Sequence, residues 1–369
     1  MYYKEYGNTG MKVSAIGMGC MRYNEDDVAA GRLEKCAEVA LYAADQGINY
    51  FDTAPFYCND KSEIITGLAL SQLDRDSFFV SSKANLGTTG DIISEDAFRR
   101  RLETTLTRLK VDYLDVYHLW CMLSLESYER QSEALYGWFE KARDEGLVKH
   151  IAVSSHMPGE ELEQVIARDQ FRGMLIGYNA LNYRFRQKGI ETAWAKGMGV
   201  VAMNPLGGGV IPSHPELFSY LADNTELTVP QAALRFVASH REITVALAGI
   251  SKNEHVDDAV IAVRDLQEEP VKQLRLRFDK MGGTSLNDLC TGCGYCEGCP
   301  VDIPIPKFMD SYNQKLFGGE SIEARLKNHW GMKLDQAADC IACGECESKC
   351  TQHLPIIDRL AEIAALRQS

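Results

Sequence analysis

The sequence predicts an α/β chain in which a large (β/α)8 TIM barrel is followed by a small cysteine-built domain. Three observations carry that expectation. Short apolar runs alternate with helical patterns in eight strand–helix units over about 250 residues, the length of such a barrel. Eight of the twelve cysteines fall in two short runs, "CTGCGYCEGCP" at 290–300 and "CIACGECESKC" at 340–350. Between the two patterns lies the charged segment 264–284, which ends in Gly-Gly and predicts a boundary giving domains 1–283 and 284–369.

The eight units follow in order. "SAIGMGC" (14–20) reads as a strand and 32–47 as a helix stopped by glycine. "INYFDT" leads to a helix near 61–71, and "SFFVSSK" (77–83) to one with Ser94 as its N-cap. "VDYLDVYHL" (111–119) precedes a helix at 127–145, and "VKHIAVSS" one at 158–168. "GMLIGYN", "MGVVAMNP" and "ITVALAGI" precede helices at 187–196, 229–240 and 253–263. A doubly wound sheet is the competing arrangement, but no G-x-G-x-x-G follows an early strand.

Hydrophobic residues make up 45% and charged residues 25%, as in ordinary globular chains. The net charge of −13 argues against nucleic acid and against an anionic membrane surface. The opening "MYYKEYGNTGMKVSAIGMGCM" has no apolar signal core, and no run is long enough to span a membrane. A cytoplasmic location is therefore expected, where disulfides are rare.

In that setting the cysteine runs need another explanation. Cys290, Cys293, Cys296 and Cys299 have two residues in each gap, and Cys340, Cys343, Cys346 and Cys350 have gaps of two, two and three. Zinc sites use pairs of ligands split by a longer finger, whereas three close thiolates suit three corners of a cubane. In bacterial two-cluster ferredoxins the fourth cysteine ligates the other cluster. One [4Fe–4S] cluster is thus assigned to Cys290, Cys293, Cys296 and Cys350, and the second to Cys340, Cys343, Cys346 and Cys299. Both runs place Gly after the second cysteine and an Ile-rich exit after the fourth, a weak internal repeat fitting a ferredoxin-like iron–sulfur domain. Thr351 stands where proline is common, and "IEARLKNHWG" between the runs reads as an additional helix.

In a barrel, active groups lie where strands end. Asp52 ends the second strand with Tyr57 in the loop after it, Lys83 ends the third, and His118 sits near the end of the fourth. Each alone fits a packed core residue; on adjacent strand ends they make a site.

At these residues the chain resembles the aldo-keto reductase family. "GINYFDTAPFY" (47–57), "SSK" (81–83) and "YLDVYHL" (113–119) match its signatures in order and spacing, and "VVAMNPLGGG" (200–209) fits as well. With the cysteine tail, it resembles the subgroup carrying a C-terminal two-cluster domain. The resemblance implies an NAD(P)H-dependent oxidoreductase interconverting a carbonyl and an alcohol. In it Tyr57 is the general acid, Lys83 held by Asp52 favours the phenolate, and His118 orients the carbonyl. The implied cofactor contacts are Gly19, Ser154, Ser155, Asn179, Met203, Pro205, Leu206, Gly249, Ser251 and Lys252. Gly249, Ser251 and Lys252 resemble the loop that takes the adenosine 2′-phosphate, so NADPH is expected. Leu175 stands where the family has a glutamine, Met203 where a tyrosine stacks on the nicotinamide, and Ala259 where Asn is common, which leaves NADH as the alternative. Phe56, Trp120 and Tyr23 are candidates to shape an apolar substrate site. In this reading the two clusters serve electron transfer or structure; the rival function is an electron-transfer protein in which the barrel presents the clusters to a flavoprotein or other redox partner.

Overall fold

The computed structural model describes residues 1–84, 94–223, 225–280, 288–318 and 320–366. They divide into two compact units, 1–206 with 218–280, and 207–217 with 288–366. The boundary expected at 283/284 lies outside the described residues.

The first unit opens with a hairpin of β1 (Tyr3–Glu5) and β2 (Lys12–Ser14), paired antiparallel. Eight parallel strands then close a barrel: β3 (Ile16–Gly19), β4 (Tyr50–Asp52), β5 (Phe79–Ala84), β6 (Leu114–Met122), β7 (Val148–Ser155), β8 (Gly173–Gly177), β9 (Gly199–Met203) and β10 (Val245–Gly249), with β10 returning to β3. Each is followed by a helix, in order α1 (Leu33–Asp45), α2 (Ser62–Leu70), α3 (Glu95–Leu109), α4 (Leu125–Asp144), α5 (Gly159–Ile166), α6 (Tyr183–Ala195), α7 (Val229–Ala238) and α8 (Asn253–Ala262). All eight predicted units are present. The strands read as apolar runs because helices cover them outside while their inward residues fill the barrel, as every buried residue of β4 and β8 shows. Ser94 caps α3, its Oγ accepting from Ala97 N at 3.2 Å, and a Thr228/Gln231 capping box starts α7. The charged segment after α8 forms α9 (Val271–Lys280).

The hairpin brings Tyr6 to the strands' N-terminal end, where its ring stacks on Tyr50 with centroids 6.0 Å apart. It belongs to an apolar cluster with Val116, Leu175, Val201 and Val245 inside the barrel. A Cβ at Gly173 or Gly199, the first residues of β8 and β9, would lie 2.2 Å from Tyr6. Glycine is therefore required at both places, and a side chain from outside the sheet closes that end.

The second unit shows its internal repeat in backbone conformation. Left-handed φ recurs at Gly292 and Ala342 (60° and 52°), at Gly294 and Gly344 (80° and 79°), and at Asp302 and His353 (56° and 54°). Asp302 N donates to Cys299 O at 3.0 Å, and His353 N to Cys350 O at 3.1 Å. The exits then run through Pro304 into α10 (Ile305–Phe317) and through Pro355 into the last helix (Ile356–Ala365). The two fourth cysteines are thus equivalent, and the extra residue of the second run falls in the turn Glu345–Ser348. The predicted additional helix is α11 (Ile322–Asn328), which makes the last helix α12. Phe308, Leu326, Leu360 and Ile363 are fully buried at its core. The segment 207–217 packs with this unit: Gly208, at φ 69°, abuts Thr291, whose O would be 2.0 Å from a Cβ there.

Candidate active site and cysteine cavities

Strand register gathers the predicted polar residues at one rim of the barrel. Gly249 pairs with Gly19, Gly19 with Asp52 and Asp52 with Ser81, while Lys83 pairs with His118. Lys83 Nζ donates to Asp52 Oδ1 at 2.5 Å and to Thr53 O at 2.7 Å. The second carboxylate oxygen of Asp52 accepts from Ser81 Oγ at 2.6 Å and lies 3.8 Å from His118 Nε2. The Lys83 and Asp52 side chains are 1% and 4% exposed, so this ion pair is removed from water. The lysine ammonium stands over the Tyr57 ring, 5.0 Å from its centroid. The four tetrad candidates therefore form one assembly. Ser81 was not singled out from the sequence, although it lies within the "SSK" signature.

His118 is fully buried. Burial, outweighing the nearby Asp52 carboxylate, holds its imidazole down to about 4, so it is neutral at neutral pH. Among the described residues no side chain hydrogen-bonds to either ring nitrogen. A neutral N–H aimed into such a site can donate to a substrate oxygen without carrying a charge.

A register shift between Leu119 and Met122, with Cys121 at φ 63°, is a bulge in β6. It carries Trp120 edge-on against Tyr57, with centroids 5.8 Å apart. Of the other aromatic candidates, Phe56 is exposed, and Tyr23 is buried with its hydroxyl 3.1 Å from Thr66 Oγ1, packed toward α2.

The expected cofactor residues also collect at strand ends. Ser154 and Ser155 end β7 and are buried, and Ser155 Oγ accepts from Met157 N at 3.0 Å. Asn179 follows β8; its Nδ2 donates to Asn204 O at 2.9 Å and its Oδ1 accepts from Leu181 N at 2.8 Å. That bond ties the loop after β8 to the one after Met203, where Pro205 is buried and Leu206 half-buried. Gly249 is exposed beside Arg22, Ser251 Oγ lies 3.3 Å from His255 Nδ1, and Lys252 is exposed at the start of α8. Leu175 is part of the apolar barrel interior.

In the second unit, Cys290, Cys293, Cys296 and Cys350 line one cavity together with Met309 and Leu354. Cys299, Cys340, Cys343 and Cys346 line another with Ile305 and Ile357, and Cys296 lines both. Apart from the shared Cys296, the second cavity takes three cysteines from its own run and one from the other, as the first does. Burial pushes the Cys290 and Cys296 thiols up to about 12. Thiols in that setting ionise only when a cationic centre lies among them, which is what an iron–sulfur cluster supplies. Asn313 fixes the loop, accepting from Cys290 N at 2.9 Å and donating to Cys290 O at 2.8 Å. Thr351 Oγ1 is 3.4 Å from Cys293 Sγ. Asn313 was not found from the sequence, because nothing local marks a contact spanning so many residues. Among the described residues no group of three or more His, Cys, Asp or Glu side chains forms a site for a single metal ion.

Comparison with known proteins agrees with both units. The profile of the aldo/keto reductase family matches residues 15–275, and that of a 4Fe-4S dicluster domain matches 288–355. The chain is 26% identical over 290 residues to L-galactose dehydrogenase of Arabidopsis thaliana, covering 71% of this chain and 88% of that one. It is 25% identical over 304 residues to probable aldo-keto reductase 1 of Glycine max, covering 73% and 86%. Among solved structures it matches the holo form of the aldo-keto reductase AKR11C1 from Bacillus halodurans with a TM-score of 0.64 at 20% identity, over 76% of this chain and 96% of that one. The chain belongs to the aldo/keto reductase family of oxidoreductases and carries a 4Fe–4S dicluster domain after its barrel.

Proposed function

We propose that the barrel reduces a carbonyl to an alcohol, or runs the reverse, by hydride transfer with a nicotinamide cofactor. The single observation carrying this reading is the buried Asp52–Lys83 pair under Tyr57, with neutral His118 beside it. Two charges removed from water cost folding energy that a plain scaffold has no need to incur.

The roles follow from chemistry. A bound nicotinamide supplies the hydride, that is, both electrons. His118 donates a hydrogen bond to the carbonyl oxygen and aligns it. Tyr57 gives its phenolic proton to that oxygen as negative charge develops there, so an alcohol leaves and a phenolate remains. Lys83 stabilises that phenolate by its positive charge. Asp52, supported by Ser81, keeps Lys83 in place. Gly19, Ser154, Ser155, Asn179, Met203, Pro205 and Leu206 are assigned to the nicotinamide end, and Gly249, Ser251 and Lys252 to the phosphate end. Lys252, exposed and cationic, favours NADPH, with NADH as the alternative.

The crossed sets of four cysteines are assigned two [4Fe–4S] clusters, each a one-electron carrier. A second reading, an electron-transfer protein serving a flavoprotein or other redox partner, is favoured by the solvent-facing second cavity, where Cys343 and Ile341 are exposed. Anaerobic protein assayed for NADPH-dependent reduction of 4-nitrobenzaldehyde separates the two. Turnover that vanishes in Tyr57→Phe supports the first reading, and a protein that neither binds nicotinamide nor turns over leaves the second. Among the described residues no helix is long and apolar enough to cross a membrane. The cytoplasm remains the proposed location.

A further inference from the structure

The turn that presents Tyr57 has a backbone that most residues avoid. Phe56, Cys58, Asn59 and Asp60 have φ of 71°, 53°, 54° and 64°. With ψ of 48° and 47° at Cys58 and Asn59, this is a left-handed helical turn. Single left-handed residues are ordinary at Gly, Asn and Asp, but consecutive ones are not, and Phe and Cys carry the full Cβ clash. Such backbone persists only where its surroundings over-determine it. Lys61 N donates to Tyr57 O at 3.1 Å, and Ser62 Oγ to Cys20 O at 2.7 Å. The charged tie is Asp60, whose two carboxylate oxygens accept from Arg108 Nη1 and Nη2 at 2.7 and 2.8 Å.

Arg108 is itself fixed from behind. It lies in the last turn of α3, where a cation suits the helix C-terminus. Gly67 of α2 lets that helix end approach: a Cβ there would be 2.0 Å from Arg108 O. Arg108 Nη1 is also 3.6 Å from Glu63 Oε2, and Glu63 Oε1 accepts from Ser82 Oγ at 2.8 Å. Ser82 adjoins Lys83. Arg108 thus stands behind both the turn carrying Tyr57 and the strand carrying Lys83.

We propose that Arg108, through its bidentate pair with Asp60, is a positioning residue that holds the Tyr57 phenol over Lys83. The inference rests on the reading of Tyr57 as proton donor. Asp60 is 43% exposed, so the pair acts by geometry more than by energy. A planar fork fixes a carboxylate in direction as well as distance, which a lysine does not. On the barrel side Lys83 lies 5.0 Å from the Tyr57 ring centroid, with Asp52 and His118 beside it; on the helix side Arg101 stands over the neighbouring Phe56 ring and Arg108 reaches the turn through Asp60. Of these, Lys83 is the one whose distance to the phenol the turn sets.

The test is a pH titration of the Tyr57 ring by NMR in protein labelled at the tyrosine ζ-carbon, with the signal assigned by its loss in Tyr57→Phe. Arg108→Ala is expected to raise the Tyr57 pKa relative to wild type, because the phenolate moves away from the ammonium. It is also expected to lower kcat for 4-nitrobenzaldehyde roughly ten- to hundred-fold with the NADPH dissociation constant unchanged. Arg108→Lys recovers part of this. Asp60→Gly added to Arg108→Ala restores both readouts, since glycine takes the left-handed φ without a clamp. An unchanged Tyr57 titration in folded Arg108→Ala overturns the proposal, as does a failed rescue by Asp60→Gly. If Arg108→Ala does not fold, Asp60→Asn must show the same upward shift, and none there is equally fatal. Wild-type turnover by Tyr57→Phe would instead defeat the catalytic reading, while the ring titration still decides the positioning claim.

Discussion

Lys83 and Asp52 are each costly to bury and tolerable only together. Removing one partner leaves an uncompensated charge in the barrel, which costs about 3–5 kcal/mol. Asp52→Asn and Lys83→Met should each lower the urea unfolding free energy by about that amount, since both side chains are almost fully buried. The double variant should be less destabilised than the sum of the two, and the double-mutant cycle measures this directly. Additive losses would mean that the two charges do not depend on each other. Lys83→Met should also lose carbonyl reduction, because the phenolate then forms without a neighbouring cation. His118 differs in kind: burial holds it neutral and no side chain among the described residues partners its ring nitrogens, the state that its proposed role as donor to a substrate oxygen needs.

At the scale of elements, the fold depends on where glycine lets two pieces meet. Gly199→Ala would drive a methyl into the Tyr6 ring, and thermal or urea unfolding should show a loss of about 1–3 kcal/mol, the usual range for overpacking. In the second unit, the crossed cysteine sets predict that Cys350→Ser damages the cluster assigned to Cys290, Cys293 and Cys296. Cys299→Ser should damage the other. Iron analysis with electron paramagnetic resonance on anaerobic protein tells them apart, and loss of a run's own cluster in each case would contradict the crossing. The eight strand–helix units were legible because parallel strands are buried on both faces and leave unbroken apolar runs. The four tetrad candidates could be placed together because Asp52, Lys83 and His118 sit toward the ends of such runs and Tyr57 in the loop after one. The β1–β2 hairpin was not, since strands of three residues leave no periodicity to read. Nor was the Arg108–Asp60 pair, which joins positions 48 apart in the chain, or Asn313 behind Cys290. Contacts of that kind exist only after the helices have packed.

Across the whole molecule, buried neutral histidines contribute to the response to acid. Burial holds His118 down to about 4 and His240 to about 3, and both are fully buried. An unfolded histidine takes its proton near pH 6.5. Below that value the unfolded chain binds protons the folded barrel refuses, so stability present at neutral pH is lost as pH falls. By pH 5 the two together should remove about 4 kcal/mol. Urea unfolding followed by tryptophan fluorescence in a Trp330→Phe background, which leaves Trp120, Trp138 and Trp194 of the barrel as reporters, checks this. A flat profile between neutral pH and pH 5 would mean that these rings are not held neutral. In the proposed reaction Tyr57 delivers a proton to a carbonyl oxygen as hydride arrives. Its most direct test is a single-turnover measurement on anaerobic Tyr57→Phe, with NADPH binding followed by fluorescence and 4-nitrobenzaldehyde as substrate. Tyr57→Phe is expected to leave the NADPH dissociation constant unchanged and to slow the reduction step by roughly 10²–10⁴; a Tyr57→Phe enzyme reducing the aldehyde at the wild-type rate would rule out Tyr57 as the proton donor.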